Sequence, residues 1–176
     1  QLLQAELTVC DVTHLFFSHF HPDHTGEMAS FLFANGYAFS PGRSRPLLLA
    51  GGEGFIPFFQ SFREAYGRWI ELDDNLLQLR SFSATKQEIN EFEDVKLTTS
   101  PATTHRPESI AFRLESKGKS IVYTGDTDYD ENLIWLSRGA DLLICESAMP
   151  DNLKKPGHLT PSLAGNIAQS AAVKTL

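Results

Sequence analysis

Short apolar runs alternate along the chain with stretches whose apolar positions recur every three or four residues. Thr13-His14-Leu15-Phe16-Phe17-Ser18 is β-branched, aromatic and apolar, as a buried strand would be. Val95-Lys96-Leu97-Thr98-Thr99-Ser100 alternates, and Ile121-Val122-Tyr123-Thr124 is an apolar run ending at Gly125. Together the pattern predicts strands over 12–18, 46–50, 95–101, 109–116, 119–124 and 141–146. Helical spacing predicts helices near 26–36, 53–67, 130–138 and 161–172. Lys117-Gly118 joins two of the strands as a hairpin, and Thr160 before Pro161 is a natural N-cap. Gly36, Pro41, Gly42 and Pro46, with Arg43 and Arg45, mark 36–46 as a loop, either a substrate face or a solvated connection.

Directly after the first strand, residues 18–26 read Ser-His-Phe-His-Pro-Asp-His-Thr-Gly. His19, His21, Asp23 and His24 therefore crowd onto the loop leaving a strand's C-terminal end, where open α/β sheets place their ligands. Imidazole nitrogen and carboxylate oxygen together suit zinc, manganese or iron, and no thiolate joins them to suggest a structural zinc site. One residue separates His19 from His21, so in extended chain both point the same way and can grip one ion. Asp23 and His24 follow the turn fixed by Pro22 and are better aimed at a second ion. His14 lies within the strand and is left out of the site.

This His-x-His-x-Asp-His pattern resembles the metallo-β-lactamase superfamily, and Tyr123-Thr124-Gly125-Asp126-Thr127 resembles its ribonuclease Z and cyclic-phosphate phosphodiesterase branch. The resemblance implies an α+β fold, the αββα four-layer sandwich, over 1–176 as a single domain. It implies that His19, His21 and His105 hold one divalent ion, that Asp23 and His24 hold another, and that Asp126 bridges them. Zinc is the expected metal and manganese the alternative. Family members also carry a β-hairpin region before the first motif and a last metal-binding histidine on a later strand. Neither has a match within 1–176, so the sequence reads as an incomplete copy lacking the first and last strands, a fragment or ordered core of a longer chain.

Two ions side by side polarise a hydroxide and a substrate oxygen together, the dinuclear route to hydrolysing an ester-like bond. In the ribonuclease Z branch, a glutamate after a strand pairs with a histidine before the next helix to protonate the leaving group. Glu146 and His158 match those positions and, with Asp23, are the expected catalytic residues. The competing role for His158 is a metal ligand. Arg106 and Ser109 are candidate donors to an anionic substrate, with a solvated surface charge as the other reading of Arg106.

The composition narrows the partner. At 176 residues, with 41% hydrophobic and 21% charged positions and 13 Phe, the chain can bury a substantial core. A net charge of −7 lacks the broad basic face that a large RNA asks for. Only 21 positions separate His105 from Asp126, which leaves no room for the long arm with which the transfer-RNA-processing enzymes grip their substrate. The expected activity is thus hydrolysis of small or cyclic phosphodiesters. Alternatives are transfer-RNA 3′ processing, thioester or lactone hydrolysis, and a non-hydrolytic metal-binding module. Cys10 and Cys145 read as buried free thiols of a cytoplasmic protein, no run is long enough for a membrane span, and a homodimer is compatible with this picture.

Overall fold

The structure, a computed structural model, describes residues 2–37, 42–73, 75–101 and 104–176, without the side chain of Leu3. It divides into two compact units, Gln1–Ser81 and Phe82–Leu176.

The first unit is a βαβαβ arrangement. Strands β1 (His14–Phe17), β2 (Leu47–Gly51) and β3 (Leu77–Ser81) form a parallel sheet in that order. Between β1 and β2 run a single turn, α1 (Pro22–Thr25), and the longer α2 (Met28–Gly36); α3 (Phe55–Tyr66) crosses from β2 to β3. The middle strand, Leu-Leu-Leu-Ala-Gly, is buried along its whole length, as the centre of a parallel sheet demands. Phe55, Phe58, Phe59 and Phe62 recur at helical spacing on α3, and Phe55 and Phe59 enter a core with Phe17, Met28, Leu32, Leu47, Leu49 and Ile70. The helix predicted near 26–36 is α2, which starts at Met28 after a turn at Gly26–Glu27 that separates it from α1. Of the loop 36–46, residues 38–41 lie outside the described ones. Arg43 is neither solvated nor available to a substrate: it is buried, with its guanidinium donating to Asn35 Oδ1 (2.8 Å) and the Val9 carbonyl (2.7 Å).

The second unit is mostly antiparallel. Strands β4 (Glu88–Phe92), β5 (Val95–Ser100), β6 (Ala111–Ser116) and β7 (Lys119–Tyr123) form a meander, and β8 (Leu142–Ile144) joins parallel to β7 through α4 (Glu131–Ser137). The β6–β7 hairpin turns at Lys117 and Gly118, both at positive φ (50° and 72°), the conformation of a tight primed turn. Helix α5 (Pro161–Ser170) starts as predicted, with the Thr160 hydroxyl accepting from the Leu163 amide at 3.5 Å. Val122, Leu133, Leu136, Leu143, Leu159 and Ile167 form its core. No helix among the described residues is long and apolar enough to cross a membrane.

Candidate metal centre

In the first unit the loop after β1 is staked down by its one apolar residue. Phe20 stacks on Phe58 (ring centroids 4.8 Å apart) and leans on Phe55 (6.0 Å). Alternation then sends its neighbours His19 and His21 to the other side. His19 Nε2 lies 3.1 Å from His21 Nδ1, and the His19 and His24 rings are 4.1 Å apart. The turn that follows is closed on the His21 carbonyl, which accepts from the amides of His24 (3.0 Å) and Thr25 (3.1 Å) and from the Thr25 hydroxyl (3.0 Å). That turn sets Asp23 Oδ2 3.5 Å from His24 Nε2. His19 is fully buried, whereas the Asp23 side chain stays 75% exposed.

In the second unit four loops contribute one group each. Asp126, just past β7, places Oδ2 3.9 Å from His105 Nε2 and 3.9 Å from His158 Nδ1. His158 Nδ1 lies closer to Glu146 Oε1, at 3.3 Å. Glu146 is itself held by backbone donors: Oε1 accepts from the Thr127 amide and Oε2 from the Ala148 amide (3.3 Å). Asp126, Glu146 and His158 offer ligand atoms within 4.8 Å of one another. The His105 and His158 rings meet edge to face at 4.7 Å.

The beta-lactamase superfamily domain matches this chain over residues 2–176. The chain belongs to that superfamily. Ribonuclease Z of Methanothermobacter thermautotrophicus is 24% identical over 228 residues, covering 100% of this chain and 71% of its own length. The probable metallo-hydrolase YhfI of Bacillus subtilis is 27% identical over 167 residues, covering 90% of this chain and 62% of its own length. The solved structure of the short form of human tRNase Z aligns with a TM-score of 0.79 at 23% identity, over 98% of this chain and 73% of that one. The fold is therefore the α+β metallo-β-lactamase fold expected from the motifs.

The donor set suits a divalent metal. Two nitrogens sharing one tetrahedral ion at about 2.0–2.1 Å stand about 3.3 Å apart, close to the His19–His21 separation. His105 Nδ1 lies 2.9 Å from the Gly157 carbonyl, the arrangement that orients metal-binding imidazoles, and His19 Nδ1 lies 3.2 Å from the Ser18 hydroxyl. The remaining expected groups are placed differently. Arg106 is surface-exposed, with Nε 3.7 Å from Glu108 Oε1. Ser109 is 2% exposed and its buried hydroxyl has no hydrogen-bond partner among the described residues, so it offers a substrate no accessible donor. Cys10 and Cys145 are free and half-buried, and burial pushes the Cys145 thiol up to about 11.

Sequence reasoning missed Asp128, which ties three of these loops together. Its Oδ2 accepts from Lys154 Nζ (2.7 Å) and the Gly157 amide (3.0 Å), while its own amide donates to the Thr104 hydroxyl (3.1 Å). Burial raises its pKa, but the Lys154 ammonium and the Tyr129 and Gly157 amides outweigh that and hold the carboxyl below its usual range. The signal was available in Gly125-Asp126-Thr127-Asp128, where a second acid follows the first at a two-residue step.

Proposed function

We propose that the chain is the catalytic part of a metal-dependent hydrolase that cleaves small or cyclic phosphodiesters. The observation that carries this reading is the convergence of His19, His21 and His24 beside Asp23 on one loop, with two imidazole nitrogens 3.1 Å apart. On the superfamily's pattern, His19, His21, Asp23, His24, His105 and Asp126 would be the residues that hold the divalent ions. Bound divalent ions, zinc by default and manganese as the alternative, supply charge for the substrate oxygens and lower the pKa of water. The chain's own residues do the rest. Glu146 accepts from His158 Nδ1–H, which fixes the ring's tautomer and orients it as the acid that protonates the leaving alkoxide. Glu146 is anchored by the Thr127 and Ala148 amides, which favours that orienting role over metal ligation. Arg106, exposed on the loop after His105, is available to steer an anionic substrate. The free thiols support a reducing cytoplasm as the setting.

A second reading, transfer-RNA 3′ processing, is favoured by the likeness to ribonuclease Z along the whole chain. Against it stand the single β6–β7 hairpin between His105 and Asp126 and the net charge of −7. The test is elemental analysis combined with turnover of bis(p-nitrophenyl) phosphate. Two divalent ions per chain and chelator-sensitive hydrolysis are expected, and a metal-free protein that still hydrolyses the diester overturns the scheme. Salt-sensitive cleavage of precursor transfer RNA, faster than that of small diesters, replaces the first reading with the second.

A further inference from the structure

We propose that Asp128 is a positioning residue that sets the His105 ring for metal binding, acting through the Gly157 peptide. The inference rests on the metal-hydrolase reading above and adds a residue to it.

The chain of contacts lies wholly within the second unit. His105 Nδ1 is 2.9 Å from the Gly157 carbonyl oxygen. A carbonyl can only accept, so Nδ1 carries the proton and the lone pair resides on Nε2, the nitrogen facing Asp126 at 3.9 Å. Which nitrogen His105 offers is thus decided by where the Gly157 carbonyl points. That direction depends on an unusual backbone: Gly157 has φ +83°, and a Cβ there would stand 3.2 Å from His105 Nδ1.

Asp128 holds that backbone in place. Its Oδ2 accepts from the Gly157 amide at 3.0 Å, fixing the peptide that leads into Gly157. The same oxygen takes the Lys154 ammonium at 2.7 Å, and Lys154 also donates to the Lys155 carbonyl at 2.8 Å, so the 154–157 turn is gripped at both ends. On the other side, the Asp128 amide donates to the hydroxyl of Thr104, the residue before His105. One residue therefore joins the two loops, its backbone amide on the loop that carries His105 and its carboxylate on the loop whose carbonyl orients that ring. The next residue along that second loop is His158, so the same latch sets the histidine paired with Glu146.

Outer partners of this kind change metal affinity by ~10–100-fold when removed. The test uses the whole chain with ring-labelled histidine. In the metal-free protein, above the range where imidazole titrates, nitrogen NMR should find His105 as the Nδ1–H tautomer. In Asp128→Ala it should shift towards Nε2–H or a mixture, and cobalt(II) titrated into that variant should bind ~10–100-fold more weakly. Lys154→Met removes the ion pair but keeps the Asp128–Gly157 bond, and should keep the Nδ1–H tautomer and weaken cobalt binding less than Asp128→Ala does. A wild-type His105 that is Nε2–H overturns the proposal, as does an Asp128→Ala chain with unchanged tautomer and affinity, or a Lys154→Met chain that reproduces the loss. Should Asp128→Ala fail to fold, Asp128→Asn keeps the volume with one accepting oxygen and should give an intermediate shift; a shift of zero counts against the latch. Absence of cobalt or zinc binding in the wild type sinks the hydrolase reading instead, while the tautomer comparison still decides the role of Asp128.

Discussion

The two units solve the same problem, holding polar side chains in place, by opposite means. The first hangs His19, His21, Asp23 and His24 on one loop and stakes it with a single aromatic, Phe20, stacked on Phe58 and Phe55. The second gathers His105, Asp126, Glu146 and His158 from four separate loops and stitches them with carboxylates: Asp128 on Gly157 and Lys154, Glu146 on Thr127 and Ala148. Apolar packing is indifferent to pH and spreads its strength over many atoms. Carboxylate stitching is directional and is lost when the acid is protonated or removed. The first support fails as a block; the second fails one contact at a time.

The largest expected effect tests the block. His19→Ala removes the fully buried member of the contiguous cluster, and should cost one metal ion per chain and reduce phosphodiester hydrolysis to background. Elemental analysis and a turnover assay on the same preparation check it. Retention of both ions with substantial activity would mean that the first loop is not the metal grip. The dispersed half should behave differently. His158→Ala should keep both metals and lower kcat by ~10²–10⁴-fold, with a smaller loss for p-nitrophenyl leaving groups, which need little protonation. Loss of an ion in that variant makes His158 a ligand and breaks the contrast.

A third experiment compares the supports rather than the ligands. Phe20→Ala should destabilise by about 2 kcal/mol from lost aromatic burial and weaken metal binding, because His19 and His21 lose their common stake together. Leu159→Ala, next to His158 and fully buried in the second unit's core, should cost about 2–5 kcal/mol in stability yet leave metal affinity within a few-fold. Urea unfolding and metal titration of both variants read the difference. Equal effects on metal affinity would show that the two loops are held alike.

The same contrast explains what the sequence could tell. The first cluster was legible because its members are adjacent in the chain and follow an apolar run, so spacing alone brought His19 and His21 to one side. The second unit's residues became legible only through resemblance, since nothing local links His105 to Asp126 or Glu146 to His158. Asp128 escaped because its partners, Thr104 and Gly157, lie 24 and 29 positions away. Most strands fell within their predicted spans, but β3 and β4 were missed. Both are sheet edges among the described residues and neither has a buried position: Ile89 on β4 is 58% exposed. Ser109 misled for the opposite reason. Its polar type suggested a substrate donor, and burial, which sequence does not display, shut its hydroxyl away.

The smallest expected effect lies at the edge of the second unit and tests its acid sensitivity directly. Asp141, entering β8, accepts from Lys174 Nζ (2.8 Å) and from the Ser120 amide on β7 (2.8 Å), so one half-buried carboxylate ties two strands and a distant segment. The Lys174 hydrogen bond, then the Ser120 amide, draws its pKa from 3.8 down to about 2. A carboxyl depressed in the folded state adds stability that is complete above its unfolded value and disappears as pH falls through the folded one. Stability should therefore decline between pH 3.8 and about 2 through this group. The pair lies at the surface, with Lys174 exposed, so the decline is modest and is screened by salt. Asp141→Asn should flatten that part of the urea-midpoint curve while leaving the midpoint near neutral pH slightly lowered. Raising ionic strength should shrink the gap between the two proteins. If the acid limbs of wild type and Asp141→Asn coincide, the stitch at β7–β8 contributes nothing, and carboxylates support the second unit only around its site.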